Sequence, residues 1–138
     1  MSQPAFRPHG SADVERIGPV LTVHMRGDWN AEMRKLAVQR MMEHIPSLNS
    51  AGPWGIVNYL HDTLVYSENI YADTRRDYAA RPPESKLRAV AFVIGPDVEG
   101  ARLLKSKFEF LLDGVIPSRV FADWALAEAW IQEQVAIH

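Results

Sequence analysis

Apolar positions along the chain change their spacing several times, and each change marks an element. Val20-Leu21-Thr22-Val23-His24-Met25 is rich in β-branched residues and stops at Gly27, which predicts a strand. Residues 13–17 predict a partner strand, joined to it through Gly18-Pro19. Met33, Ala37, Met41 and Ile45 recur every four residues, with Leu36, Val38 and Met42 beside them. That stripe predicts an amphipathic helix, capped by Asp28 or Asn30 and ended by Pro46 and the polar stretch 47–53. Residues 54–60 predict the next strand, and Ser67 caps a polar helix from Glu68 to about Arg81, stopped by Pro82-Pro83. Residues 87–94 are almost continuously apolar, as a strand covered on both faces requires. Asp97 caps a third helix, with Leu104, Phe108 and Leu111 on one side and Gly114 past its end. After a short strand at 119–121, Asp123 caps a last helix to about residue 135. Its expected core anchor is Trp130, four residues after Leu126, with Ile131 also pointing inward.

The predicted order is β-β-α-β-α-β-α-β-α, with four helices. Strands alternating with helices imply an α/β fold: a single, mostly parallel sheet with an antiparallel edge strand and right-handed crossovers. The 89–94 segment is the expected central strand. Residues 1–10, with two prolines and no apolar run, read as a flexible tail, and 11–138 as one domain.

Composition narrows the function. The chain has 138 residues, 47% of them hydrophobic and 23% charged, which excludes a mostly disordered or fibrous protein. It has no cysteine, hence no disulfide framework, no thiolate zinc site and no cysteine nucleophile. A net charge of −2 argues against a nucleic-acid binder, which needs a basic excess. Nothing resembles a signal peptide, and no run approaches the roughly 20 apolar residues of a membrane helix, so a cytoplasmic location without a transmembrane segment is expected.

Three stretches carry a family resemblance. They are Thr22-Val23-His24-Met25-Arg26-Gly27-Asp28-Trp29-Asn30, Gly55-Ile56-Val57-Asn58-Tyr59-Leu60, and the segment from Arg119-Val120-Phe121 through Trp124 to Trp130-Ile131. Together they resemble the STAS domain (sulfate transporter and anti-sigma-factor antagonist), in its stand-alone bacterial, sporulation-antagonist-like form. The resemblance implies a non-enzymatic regulatory domain that binds a partner protein or a small ligand. In the phospho-regulated members a serine at the start of the helix after the central strand is phosphorylated, within Asp-Ser-Ser-Gly. The matching place here is Tyr66-Ser67-Glu68-Asn69. It lacks the aspartate, the second serine and the glycine, so Ser67 is a phosphoacceptor candidate and also a plain helix cap.

The chemistry-bearing residues are few. Tyr66, Ser67, Glu68 and Tyr59 gather by sequence order near the carboxyl end of the 54–60 strand, where ligands collect in open α/β sheets. Trp29 follows a turn and is a candidate wall of a groove or of a contact between two copies, so a homodimer is one expected assembly. Tyr59, Tyr66, Tyr71 and Tyr78, with Arg75 and Arg76, are weighed as an anion- or lipid-binding wall against packing on the sheet. His61-Asp62 is weighed as a metal-dependent hydrolase centre, but His9 and His138 lie at the ends and His24 lies mid-strand, so no further ligands are placed. Nucleophile elbows, phosphate loops and dinucleotide fingerprints are absent. No cofactor, no metal and no enzymatic activity are therefore expected. The leading reading is a regulatory or ligand-binding module; the alternatives are a carrier for a lipid or small apolar molecule in a pocket between helices and sheet, and, second, a metal-dependent hydrolase centred on His61-Asp62. Met33, Met41 and Met42 are candidate pocket residues for the carrier, because methionine adapts to irregular apolar shapes.

Overall fold

A computed structural model describes residues 10–27, 31–61, 68–98 and 100–137. The elements are β1 (Gly10–Ile17), β2 (Val20–Gly27), α1 (Ala31–Met42), α2 (Ile45–Ala51), β3 (Trp54–His61), α3 (Glu68–Ala79), β4 (Leu87–Ile94), α4 (Ala101–Glu109), β5 (Ser118–Phe121) and α5 (Trp124–Ala136). The five strands form one sheet in chain order, β1-β2-β3-β4-β5. β1 and β2 pair antiparallel through a tight turn at Gly18, whose φ of 59° suits glycine, and the other pairs are parallel. The expected α/β architecture with an antiparallel edge strand is therefore present.

Several details differ from expectation. There are five helices among the described residues, not four. Pro46 does not end the first helix; it sits in the first turn of a separate one, α2, where no amide partner is needed. Asn49 fixes α2 in place: its side-chain oxygen accepts from Trp54 Nε1 at 2.7 Å and from the Lys86 amide at 3.0 Å. The middle strand is β3; β4 lies between β3 and β5, though Val90 (0% exposed) and Phe92 (2%) are buried as expected. α3 ends at Ala79, and α4 is capped by Gly100 rather than Asp97, which lies in the preceding turn. Gly10, assigned to the tail, begins β1. The proposed caps Asp28, Asn30 and Ser67 lie outside the described residues, whereas Asp123 caps α5 by accepting from the Ala125 amide at 2.7 Å.

Side chains alternate across the strands, so the sheet has two apolar faces. One carries Leu21, Val23, Met25, Ile56, Leu60, Val90, Phe92 and Ile94, packed with side chains from α1, α2, α3 and α4. The other carries Val20, Val57, Ala89, Ala91 and Val93 and, among the described helices, packs against α5. The α5 residues that meet the sheet are Ala127 and Ile131, both fully buried. Trp130 is only half-buried and leans on Phe121 with ring centroids 5.8 Å apart, while Leu126 is 61% exposed. The expected Leu126–Trp130 stripe is thus one residue out of phase with the buried one. No described helix is long and apolar enough to cross a membrane.

Gly55 sets how closely α5 sits. A Cβ on Gly55 would lie 2.7 Å from Ile131 Cγ2 and 3.3 Å from its Cδ1. Gly55→Ala should therefore push α5 outward and destabilise the fold by about 1–3 kcal/mol, the usual cost of overpacking. In urea titrations the loss should shrink when Ile131→Ala has already removed the obstructing atoms; an equal loss in both backgrounds would deny the close approach its role.

Candidate functional site

On the four-helix face, the sheet and helices do not close completely. A cavity of about 460 Å³ opens between α1, α2, the end of α3 and strands β2 and β3. That volume lies within the usual range for small-molecule sites. Its walls are largely apolar: Met25, Met41, Met42, Ile45, Trp54 and Leu87 are among them. Met42 is 57% exposed, and Met33 is buried in the core instead of lining the cavity. The expected methionine stripe therefore divides between core and pocket.

Two polar groups meet inside this apolar surface. Asn58 is the buried polar residue of β3, 5% exposed, and its amide reaches the Ala91 carbonyl only at 3.5 Å. Tyr78, from α3, hydrogen-bonds the Asn58 side chain, and burial pushes its phenol up to about 12, so it remains a neutral hydroxyl. Arg34 also lines the cavity, but its charge is matched by Asp77, and it donates to the Asp73 carbonyl at 3.1 Å. Arg81 is turned to backbone, donating to the carbonyls of Tyr78 at 2.7 Å and Val115 at 3.3 Å. The cavity is thus largely apolar, with Arg34 paired to Asp77, Arg81 engaged by backbone carbonyls, and a neutral amide and a neutral phenol.

A second feature lies on the opposite face, at the carboxyl end of β3. His24 of β2 stands beside Tyr59 of β3, with ring centroids 4.9 Å apart and planes 15° from parallel. His61 completes the group, 5.1 Å from Tyr59, and His24 Nδ1 and His61 Nε2 share a hydrogen bond of 2.9 Å. One ring must donate and the other accept, so a second proton on the pair breaks the bond. Burial holds His24 below the usual histidine value, and Arg26 acts in the same direction; Glu15 and Asp13 oppose them. Tyr59 is shifted upward by burial first, then by Asp123 and Glu128.

The structure separates the tyrosines that were grouped by sequence. Tyr78 enters the cavity, Tyr71 packs edge-on against Phe108 with centroids 5.4 Å apart, and Tyr59 lies on the other side of the sheet. Arg75 donates to the Leu111 carbonyl at 2.7 Å and Arg76 pairs with Asp73 at 2.8 Å. The five of these residues that are described therefore make no common anion-binding wall. Of the other candidates, Trp29, Tyr66 and Ser67 lie outside the described residues, as does Asp62, and Glu68 is described only as the first residue of α3. Among the described residues, no group of three histidines, aspartates or glutamates is placed to hold a metal. Sequence reading passed over Asn58, although a lone amide in a run of apolar strand residues was a usable signal. It also passed over the contact of His24 with His61, which depends on the register of β2 against β3.

The chain matches no protein-family model, no curated protein and no solved structure at a significant level.

His24 also makes stability depend on pH. Its depressed value means that the unfolded chain binds more protons than the folded one just below pH 6.5. The stabilisation is present above that pH and is lost as pH falls through the folded-state value. Urea midpoints should therefore decline more steeply below pH 6.5 in the native protein than in His24→Asn. Parallel declines would assign the acid sensitivity to other groups.

Proposed function

We propose that this chain is a non-enzymatic binding module for a small, mainly apolar molecule with one uncharged polar end. The observation that carries this reading is the apolar cavity between α1, α2, α3 and the sheet, with the Asn58–Tyr78 pair set into it. Apolar walls supply affinity roughly in proportion to the area removed from water, without selecting an orientation. Asn58 and Tyr78 supply orientation, because a buried amide and a half-buried phenol reward a ligand that completes their hydrogen bonds. Arg34 is already matched by Asp77 and Arg81 donates to two backbone carbonyls, so the Asn58–Tyr78 pair is the polar contact left to a ligand, which supports an alcohol, ester or amide over a carboxylate. Methionines at 41 and 42 suit an occupant of variable shape. The resemblance to STAS domains supports a regulatory use of such binding, and the cavity equally suits a carrier.

The test uses 1-decanol and decanoate as probes in thermal melts and native mass spectrometry. Decanol should raise the melting temperature and bind one per chain, more tightly than decanoate. Val38→Trp, which places a bulky ring at the cavity wall, should abolish the shift while the protein stays folded. Tyr78→Phe should keep the apolar contribution and narrow the preference for the alcohol. Absence of a shift with either probe, or a shift that survives Val38→Trp, would overturn the proposal.

A further inference from the structure

The aromatic group at the carboxyl end of β3 is part of a separate cleft, on the face that α5 covers. This cleft has a volume of about 280 Å³ and is lined by Tyr59, His61, Val93, Asp97, Val98 and Trp124, among others. It exists because α5 begins only at Trp124 and reaches the sheet closely at Ala127 and Ile131, so the strand ends before that contact stay open. Trp124 is 41% exposed and faces Tyr59 with ring centroids 6.4 Å apart and planes 26° from parallel. Tyr59 and His61 stand 5.1 Å apart with planes within 4° of each other. The cleft thus gathers several rings packed against one another, with Trp124 the most exposed of them.

Its lining is acidic: Asp97 lines it and, among the described residues, no lysine or arginine does, although Arg26 lies nearby on β2. Asp123 and Glu128 lie near enough for their charges to act on the Tyr59 hydroxyl. Aromatic faces are electron-rich, and beside carboxylates they attract cations and repel anions. A small metal ion is poorly served, because no three ligating groups converge among the described residues. A primary ammonium is strongly hydrated and sheds its water reluctantly. An alkylated ammonium has its charge spread over methyl groups, so it meets both the ring faces and the carboxylate field.

We propose that the cleft formed by Tyr59, His61, Asp97 and Trp124 binds an alkylated ammonium group. This site is independent of the apolar cavity, which opens on the other side of the sheet, so either proposal stands or falls alone. The chemistry has two sources, a free small molecule such as choline or a methylated lysine side chain, and both enter the test.

The experiment follows the Trp124 indole resonance by NMR while choline, tetramethylammonium and 3,3-dimethyl-1-butanol, the neutral isostere of choline, are titrated at millimolar concentrations. Choline and tetramethylammonium should bind, with the isostere about tenfold weaker, as expected when cation–π attraction contributes. Calorimetry on variants supplies the second readout. Trp124→Ala and Tyr59→Leu should each weaken choline by about tenfold, while Tyr59→Phe, which keeps the ring face, should nearly preserve it. Asp97→Asn should weaken choline and leave the isostere unchanged. Circular dichroism and melting confirm that each variant is folded, and decanol binding in the other cavity serves as an internal control. A short peptide carrying trimethyllysine, compared with its unmethylated form, separates the sources: a peptide that binds more tightly than choline assigns the site to a protein partner, and the reverse assigns it to a small molecule. Equal affinity for choline and its isostere, choline binding unaffected by Trp124→Ala, or no response to either cation would overturn the proposal.

Discussion

The close seating of α5 on the sheet governs the rest of the structure. One helix has to cover a face that, on the other side, takes four. It does so by contact at short range: Gly55, Ala89 and Ala91 leave almost no side chain between backbone and helix, and Ala127 and Ile131 fill what remains. The opposite face is built from Leu21, Met25, Ile56, Phe92 and similar bulk, so its helices pack on large side chains. The cavity and the cleft are opposite results of this asymmetry. Where large side chains hold helices off the sheet, a gap between them becomes the apolar cavity. Where a single helix lies close but covers only part of a face, the uncovered strand ends become the aromatic cleft.

The polar groups follow the same division. Asn58 and Tyr59 are adjacent in sequence but point to opposite faces, as strand neighbours must. Asn58 meets the phenol of Tyr78 within an apolar surface, where hydrogen-bonding capacity is costly to leave unused. Tyr59 stands among His24, His61 and Trp124 near solvent, where ring faces and carboxylate charge dominate. One strand therefore feeds two chemically different environments with consecutive residues.

Much of the fold could be read from residue order. β2, β3 and β4 announce themselves by β-branched, apolar runs bounded on at least one side by glycine or proline, and Asp123 is a helix cap in fact as in sequence. The failures have physical causes. Pro46 is compatible with both the end and the beginning of a helix, and only the contacts of Asn49 with Trp54 and Lys86 select the latter. On α5, Leu126–Trp130 and Ala127–Ile131 are both spaced by four, so periodicity cannot choose between them. The choice is made by Gly55, a distant residue whose missing side chain admits Ile131. The cavity was legible only as an adaptable set of methionines, because a gap between helices is a property of distances that no periodicity records. Tyr59 was found from its place near a strand's carboxyl end, but its partners come from β2 and α5, which pairing and packing bring to it.

Because the strands lie in the sheet in the order in which they occur in the chain, the sheet can be laid down in the direction of synthesis. The β1–β2 hairpin needs only local contacts, and each later strand adds to an edge that already exists. Helices α1 to α4 emerge before or between the strands they cover, so the first face is shielded as it grows. The second face has no such protection. Val57, Ala89, Ala91 and Val93 are all made before α5. Until that helix docks, the nascent domain carries a bare apolar sheet surface, and the interval between making β4 and making α5 is its period of greatest exposure to aggregation and to chaperones.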